Sequence, residues 1–452
     1  MESLPRVPVA IVGAGACGLT AAIALREAGV ECLLLERDVR PWGSTALSSG
    51  FIPAAPTRWQ RAAEVDDSVE QFAADIQAKA RGRAAAHLVQ AYAAASVPAL
   101  QLLARQGLEF ELLDGFLYPG HSVRRMHALA PRTGAALVEA LEAAATRLGA
   151  DVMTRARVIA LDVGADSRLQ GVHFERPDGR IEALRCEQLL LACNGFGGDA
   201  SMVAELLPEM RDAPFAGHVG NDGSAIRWGR QLGARLADLG GYQGHGSWAV
   251  PQGALISWAL MMQGGVQINA EGRRFHDESL GYSEAAVQVL AQPGGVAWDL
   301  FDDELLALAR TFPDFCDAER AGALRSAADA AGLARVIGCD AGVLRATLQS
   351  ISPHRADPFG RRFTRTLSEP LHAVKVTGAL FHTQGGLDID AQCRVLREDG
   401  APFPNLLAAG GAARGVSGDA VWGYLSGNGL LSAVAGGFIA AQTIARQRRE
   451  EL

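Results

Sequence analysis

Residues 272–285 read GRRFHDESLGYSEA and hold two arginines, one histidine, three acids and one tyrosine. A run this dense in titratable groups serves either proton transfer or a solvated surface. Which of its members handles a proton depends on what stands opposite it. That partner must be sought in the elements that place the run.

The N-terminus offers one such element. It reads PVAIVGAGACGLTAAIALREAGVECLLLERD. Val9–Val12 is a short apolar run suited to a strand buried on both faces. Gly13, Gly15 and Gly18 form GxGxxG around Ala16, and a helix is expected from there to Ala28, stopped by Gly29. Val30–Leu35 predicts a second strand, ending at Glu36 and Arg37. Gly13 permits the tight turn, Gly15 lets a pyrophosphate reach the backbone, and Gly18 lets helix and strand pack closely. The helix N-terminus presents N–H groups to the phosphates, and Glu36 can accept from ribose hydroxyls. Strand, helix, second strand and terminal acid agree on a dinucleotide cradle. The motif alone does not choose between FAD and NAD. PWGSTALSSGF (41–51) follows directly, and its Ser44, Thr45, Ser48, Ser49 and Gly50 suit a chain lying along a phosphate and a flat ring.

The bulk properties agree with a globular enzyme. The chain has 452 residues, 49% hydrophobic and 20% charged, which suggests two or three domains. Net charge is −8 with no basic block, so nucleic acid is not an expected partner. Seven cysteines are irregularly spaced, with no CxxC pair, and are expected to be reduced and mostly buried in a cytoplasmic protein. No metal site is expected. Val7–Leu25 and Gly429–Ala445 are apolar, but glycine-rich and short for a bilayer. They are expected to be buried elements, with no integral membrane segment.

Several motifs in order resemble the flavoprotein family of fumarate reductases, succinate dehydrogenases and 3-ketosteroid dehydrogenases, over nearly the whole chain. GAGACGLTAAIALREAG and LLLERD resemble its FAD-binding start, and GSTALSSG its flavin-contacting loop. LLLACNGFGGD (189–199), with Ala192 and Gly195, resembles the return into the FAD domain. VKVTGALFHTQGGLDID (374–390) and NLLAAGGAARGVSGDAVWGYLSGNGLLSA (405–433) resemble the C-terminal flavin half. The second of these holds Gly410, Gly411, Ser426, Asn428, Gly429 and Leu430. The resemblance implies an α/β fold with an α+β cap: a Rossmann-like FAD-binding domain split in sequence (1–214 and 359–452) around a capping domain (215–358). The expected joint is Ala356–Arg362, where Pro358 and Gly360 break a helix. Residues 302–351 are expected to be mostly helical. Residues 156–192 are expected to form a β-excursion turning at Asp178-Gly179, with the backbone of Val158 facing the adenine. No family-type histidine occupies the 43–50 loop, so FAD is expected to be noncovalent. Gly411 stands where a flavoprotein glutamate often contacts ribitol. SGNGL (426–430) is expected to turn backbone N–H groups towards the flavin.

The resemblance also orders the catalytic residues. In the family's fumarate reductases two histidines and two arginines clamp a dicarboxylate, and one arginine donates the proton. His382, in FHTQGG, matches the family's HTxGG and is expected to polarise a substrate oxygen together with Gly385 and Gly386. His245, in GYQGHG, stands where the family carries a histidine in HPT, but Gly246 and Ser247 follow it here. Trp258 and Met261 replace an acid and an arginine of the family's proton path. Tyr282 stands four residues after Glu278, where fumarate reductases place the proton-donating arginine and 3-ketosteroid dehydrogenases carry a tyrosine in a similar place. Arg274 and Glu278 are expected to hold the cap, with His276 and Asp277 at the surface. The C-terminal clamp arginine is absent, with Trp422 and Tyr424 nearby instead.

A buried carboxylate without a cationic partner costs several kcal/mol, so fumarate is disfavoured. Arg124, Arg125, Arg132 or Arg414 could supply a cation from another angle, so an unsaturated monoacid stays open beside a cyclic ketone or a steroid-like enone. The expected function is that of an FAD-dependent oxidoreductase acting on a carbon–carbon bond beside a carbonyl or carboxyl. Tyr282 handles the proton, and the pocket, with Trp258, Met261, Met262, Trp422 and Tyr424, takes a small-molecule substrate less polar than fumarate. No haem motif or second dinucleotide fingerprint is visible, so an external electron donor or acceptor is expected. Two other readings stay open: a fumarate-reductase-like enzyme with a relocated clamp, and a flavin subunit serving electron transfer or redox sensing.

Overall fold

The computed structural model describes residues 4–114, 117–164 and 166–451. The strand Arg6–Val12 lies at the centre of an eight-stranded sheet, parallel to Cys32–Leu35 on one side and Ile181–Leu191 on the other. Both its faces are covered, which is why Val9, Ala10 and Ile11 read as an unbroken apolar run. Asp151–Met153 and Pro402–Ala408 extend the parallel sheet at its two edges. The helix Ala16–Glu27 returns between the first two strands and ends where Gly29 turns left-handed, at φ 77°.

The expected β-excursion is a meander of Arg157–Val163, Leu169–Glu175 and Ile181–Leu191. Its last turn closes with Gly179 N–H donating to the Arg176 carbonyl and Gly179 at φ 82°.

The C-terminal helix Asn428–Glu451 packs along the Ala16–Glu27 and Ala86–Arg105 helices. A Cβ on Gly437 would lie 2.4 Å from the Cys17 carbonyl oxygen, so only glycine allows the two helices this close. Among the described residues this helix alone is long and apolar enough to cross a bilayer. Its small residues serve helix packing in the core instead.

A second, antiparallel sheet has six strands. Leu371–Thr383 is its spine, flanked by Tyr242–Ala249 and Leu324–Ala327 on one side and Val296–Asp302 on the other. The expected break at residue 358 therefore does not coincide with this sheet, whose longest strand comes from beyond it. The chain at Ala356–Arg362 is coil, with Gly360 at φ 94°, but it is pinned: Asp357 accepts from Arg274.

Residues 302–351 are mostly helical, as expected, with one strand among the helices. Four helices appear, Asp303–Ala309, Pro313–Arg320, Ala330–Ile337 and Ala341–Ser350, but Leu324–Ala327 is a strand. Gly322, at φ 77°, ends the preceding helix, and the next residues complete the edge beside Leu371–Val374.

Arg274 and Glu278 hold this part together as expected. Arg274 Nε and Nη2 donate to the Glu278 carboxylate at 2.9 and 2.6 Å, and Arg361 adds a third bond at 2.9 Å. Burial alone would raise the pKa of Glu278, but these two guanidinium groups hold it below the ordinary value. His276 is not at the surface. It is buried against Gln267 Oε1 at 2.8 Å, because the chain folds back here to seal the sheet.

Candidate active site

A continuous cavity runs from the C-terminal end of the central strand to the second sheet. At its first end the backbone is the wall. Gly13, at φ 102°, would place a Cβ 2.6 Å from the Ala192 carbonyl oxygen. Gly15 and Ala16 line the cavity beside it, and Thr45 Oγ1 accepts from Ala16 N–H at 3.0 Å. Gly18 faces away from the cavity, and a Cβ there would lie 2.0 Å from the Gly13 carbonyl oxygen, so it serves helix–strand packing. Glu36 is buried in the cavity wall and accepts from the N–H groups of Ala14 and Asp38, each at 2.9 Å. Arg37 lines the same end, donating to the Gly220 carbonyl and to Asp222. Ser44, Ser48, Ser49, Gly50, Val158, Ala192, Gly410, Gly411, Ser426, Gly429 and Leu430 all reach the cavity.

The cradle fits a dinucleotide. It opens on a helix N-terminus, its wall at Gly13, Gly15 and Ala16 is main chain, and Ser432 Oγ, on the cavity wall, has no protein partner. FAD bound here would be held by Gly13–Ala16, Glu36 and the Ser44–Gly50 loop. Besides Gly18, two expected contacts lie outside the cavity. Gly195 packs on Thr383 Oγ1, and Asn428 is buried, donating to Ser417 Oγ at 2.9 Å.

At the other end the walls are aromatic. Tyr282 opens the helix Tyr282–Leu290, which places its ring in the cavity, and its hydroxyl lies 2.9 Å from Ser426 Oγ. His245, from the strand Tyr242–Ala249, stacks on that ring at 4.8 Å between centroids. Tyr424 and Trp258 meet it edge-on at 6.2 and 6.4 Å. Trp258 is fixed by donating from Nε1 to the Glu278 carbonyl at 3.0 Å. Burial pushes the Tyr282 hydroxyl pKa well above its ordinary value, the neighbouring Tyr424 adds to this, and the bond to Ser426 opposes it. The phenol is therefore held protonated.

The two histidines are neutral. Burial pushes His245 down to about 3 and His382 to about 4. His245 Nδ1 accepts from the Ser247 N–H at 3.1 Å, so its ring proton sits on Nε2. His382 is oriented by a chain of side chains. Asn428 donates to Ser417 Oγ, Ser417 donates to Gln384 Oε1 at 2.7 Å, and Gln384 Nε2 lies 3.0 Å from His382 Nδ1. Nδ1 also lies 3.3 Å from the Thr383 carbonyl, but the Gln384 amide is closer and has its oxygen taken by Ser417. Nδ1 therefore accepts and Nε2 carries the proton, beside Gly429, where a Cβ would lie 2.7 Å from it.

Five residues expected to line the substrate pocket do not, among them Met262, which packs against the apolar cluster around Trp258. Met261 is core, because its short helix turns it inward. Trp422 stacks under the Arg81 guanidinium at 4.4 Å. Gly385 packs against Asp238 and Leu239, and Gly386 against Ala412 and Ala413, so both serve close backbone approach. Tyr118, Gln243, Phe381, Gln384 and Asp314 reach the cavity without having been expected. Gln384 stood in the quoted FHTQGG, next but one to His382; nothing in the local sequence marked Tyr118.

No arginine of the expected relocated clamp lines the cavity. Arg125 is buried between Asp67 and Asp75, Arg414 is tied to Asp238 and Asp388, and Arg132 lies by Glu111 at the surface. The two arginines that do line it, Arg37 and Arg157, pair with Asp222 and Glu175.

Known proteins are similar to this chain in sequence and fold. The chain is 28% identical over 446 residues to the "Probable fumarate reductase Ifc3" of Shewanella frigidimarina, covering 97% of this chain and 74% of that one. The open conformation of a flavocytochrome c3 fumarate reductase superposes with a TM-score of 0.83 at 27% identity, covering 98% and 78% of the two chains. The 3-ketosteroid-Δ4-(5α)-dehydrogenase of Rhodococcus jostii RHA1 shares the fold, with a TM-score of 0.79, 24% identity and 98% coverage of both chains. The model of the FAD binding domain family matches residues 8–430, from the central strand through the Ser426–Leu430 turn, and the chain belongs to that family of FAD-dependent oxidoreductases.

Proposed function

We propose that this enzyme reduces a carbon–carbon double bond conjugated to an uncharged carbonyl, as in a cyclic or steroid-like enone. The observation that carries this reading is the Tyr282–Ser426 pair, set among aromatic rings at an end of the cavity with no unpaired cation among the described residues. Bound in the cradle, FAD supplies the hydride. His382 Nε2–H donates to the substrate carbonyl and favours negative charge developing there. Tyr282, kept protonated by burial, delivers a proton to the carbon next to that carbonyl. A dicarboxylate would leave at least one carboxylate without a cation, at a cost of several kcal/mol. Electrons come from an external donor.

Anaerobic photoreduction of the holoenzyme followed by mixing with substrates tests this. Rapid reoxidation by cyclic or steroidal enones is expected, with little reoxidation by fumarate. Reoxidation by fumarate alone would overturn the reading. Bleaching of the oxidised flavin by saturated ketones, with no reoxidation by enones, would reverse its direction.

A further inference from the structure

Arg125 is an unusual residue to find buried. Its side chain is fully enclosed, and two carboxylates face it. Nε and Nη2 donate to Asp67, each at 3.0 Å, and Nη1 donates to Asp75 at 2.5 Å. Asp75 also accepts the Ser122 N–H and hydroxyl at 2.8 Å. An enclosed ionic group of this kind is often no more stabilising than an apolar replacement, so its role is sought in what it orients.

Nη1 of Arg125 lies 3.0 Å from His121 Nδ1. A guanidinium has only donors, so Nδ1 must be the lone-pair nitrogen and the ring proton must sit on Nε2. That Nε2 lies 2.9 Å from the Ser426 carbonyl oxygen, to which it donates. Burial, and the charge of Arg125, push His121 down to about 4, so this tautomer persists at neutral pH. Ser426 in turn holds the Tyr282 hydroxyl at 2.9 Å through Oγ. The chain Asp75–Arg125–His121–Ser426–Tyr282 is therefore continuous, apart from passing through one residue from carbonyl to hydroxyl.

We infer that His121 is a positioning residue for Tyr282, acting through Ser426, with Arg125 fixing the tautomer that makes this work. The turnover consequence rests on the proton role proposed for Tyr282; the geometric consequence does not. His121 does not line the cavity. It fixes the backbone at Ser426 so that the serine hydroxyl meets the phenol of a helix from the second sheet's side of the cavity. A misplacement of about 1 Å at a proton donor can cost on the order of 100-fold in rate.

The test combines a spectroscopic and a kinetic reading of the holoenzyme. The chain has five tyrosines, so 3-fluorotyrosine labelling gives a simple fluorine NMR spectrum, in which Tyr282 is assigned by loss of its signal in Tyr282→Phe. His121→Leu should move the Tyr282 resonance and lower kcat with enones roughly 10- to 100-fold, with KM little changed and flavin retained. His121→Gln, whose amide can replace the Nε2–H donor, should restore both. In the Tyr282→Phe background His121→Leu should cost nothing further.

An unmoved Tyr282 resonance in folded, flavin-bearing His121→Leu overturns the proposal, whatever happens to turnover. A loss of stability with that resonance unmoved is the signature of a purely structural histidine and overturns it equally. A shifted resonance in a protein whose native form reduces no enone supports the positioning role and removes only the substrate reading. If His121→Leu does not fold, His121→Asn serves, since its shorter amide falls short of the Ser426 carbonyl; the same shift is expected and the same constancy is disproof.

Discussion

The Tyr282 hydroxyl lies 2.9 Å from Ser426 Oγ, joining a helix beside the second sheet to the turn that opens the C-terminal helix. A phenol held in this way, and kept protonated by burial, can give up a proton towards a strongly basic carbon. Tyr282→Phe keeps the ring and its stacking on His245 but removes the proton. Turnover with enones should fall about 10²- to 10⁴-fold, with flavin content unchanged. Near-native turnover in Tyr282→Phe shows that the proton comes from elsewhere.

His382 and His245 should be invisible in the pH profile. Their pKa values of about 4 and about 3 lie below the working range, because both rings are buried. kcat/KM should therefore show no limb near pH 6.5. His382→Ala should raise KM roughly 3- to 10-fold, the worth of one neutral hydrogen bond, and lower kcat too, since the same bond favours charge developing on the carbonyl, with flavin retained. A limb near 6.5 that disappears in His382→Ala would show that the imidazolium takes part.

The parts of this site that were legible in the sequence are those set by the backbone. GxGxxG, the acid at Glu36 and the hydroxyl-rich loop share one local requirement, close approach of a ligand to the main chain, and local spacing records it. Side-chain neighbours set by long-range packing were harder to read. Met261 and Trp422 look like pocket residues by position, but one is turned inward by a four-residue helix and the other is held under Arg81. His276 lies next to two charged residues and still packs inward, because Gln267 is brought beside it by the pairing of Val266–Ile268. Tyr118 reaches the site, and His121 stands behind it at the Ser426 carbonyl, from a turn whose sequence carries no motif.

Asp314 should set charge preference at the rim. It lines the cavity at an accessible position, partial desolvation and the nearby Asp317 raise its carboxyl above the ordinary value, and no ion-pair partner faces it among the described residues. A carboxylate there repels anionic substrates over roughly a Debye length, about 8 Å in physiological salt. Asp314→Lys should lower KM for a carboxylate-bearing enone by roughly 10-fold and leave a neutral enone within about 2-fold. The gain should shrink at high salt. An equal change for both substrates would mean that the substitution acts on the shape of the cavity, not on its charge.

The fold itself should weaken on the acid side of neutrality. His121, His127, His245 and His382 are buried, and burial pushes them down to about 4, 4, 3 and 4. In the unfolded chain a histidine titrates near 6.5. Between these values the unfolded chain binds protons that the folded chain refuses. Their contribution is thus fully present above about pH 6.5 and is lost as pH falls towards 4, at roughly 1–2 kcal/mol per histidine between pH 7 and 5. Asp299 runs the other way. Burial raises it to about 7, so its penalty on the folded state relaxes over the same interval. Glu142, Glu284 and Asp314 are raised as well, and His276 is lowered with the other histidines. The large histidine shifts leave a net loss, and the urea midpoint should be lower at pH 5.0 than at pH 7.5. His127→Gln, at a site away from the proposed chemistry, should narrow that difference. A midpoint that rises on acidification would mean that the raised carboxyls outweigh the histidines, or that the histidine rings reach solvent and titrate normally.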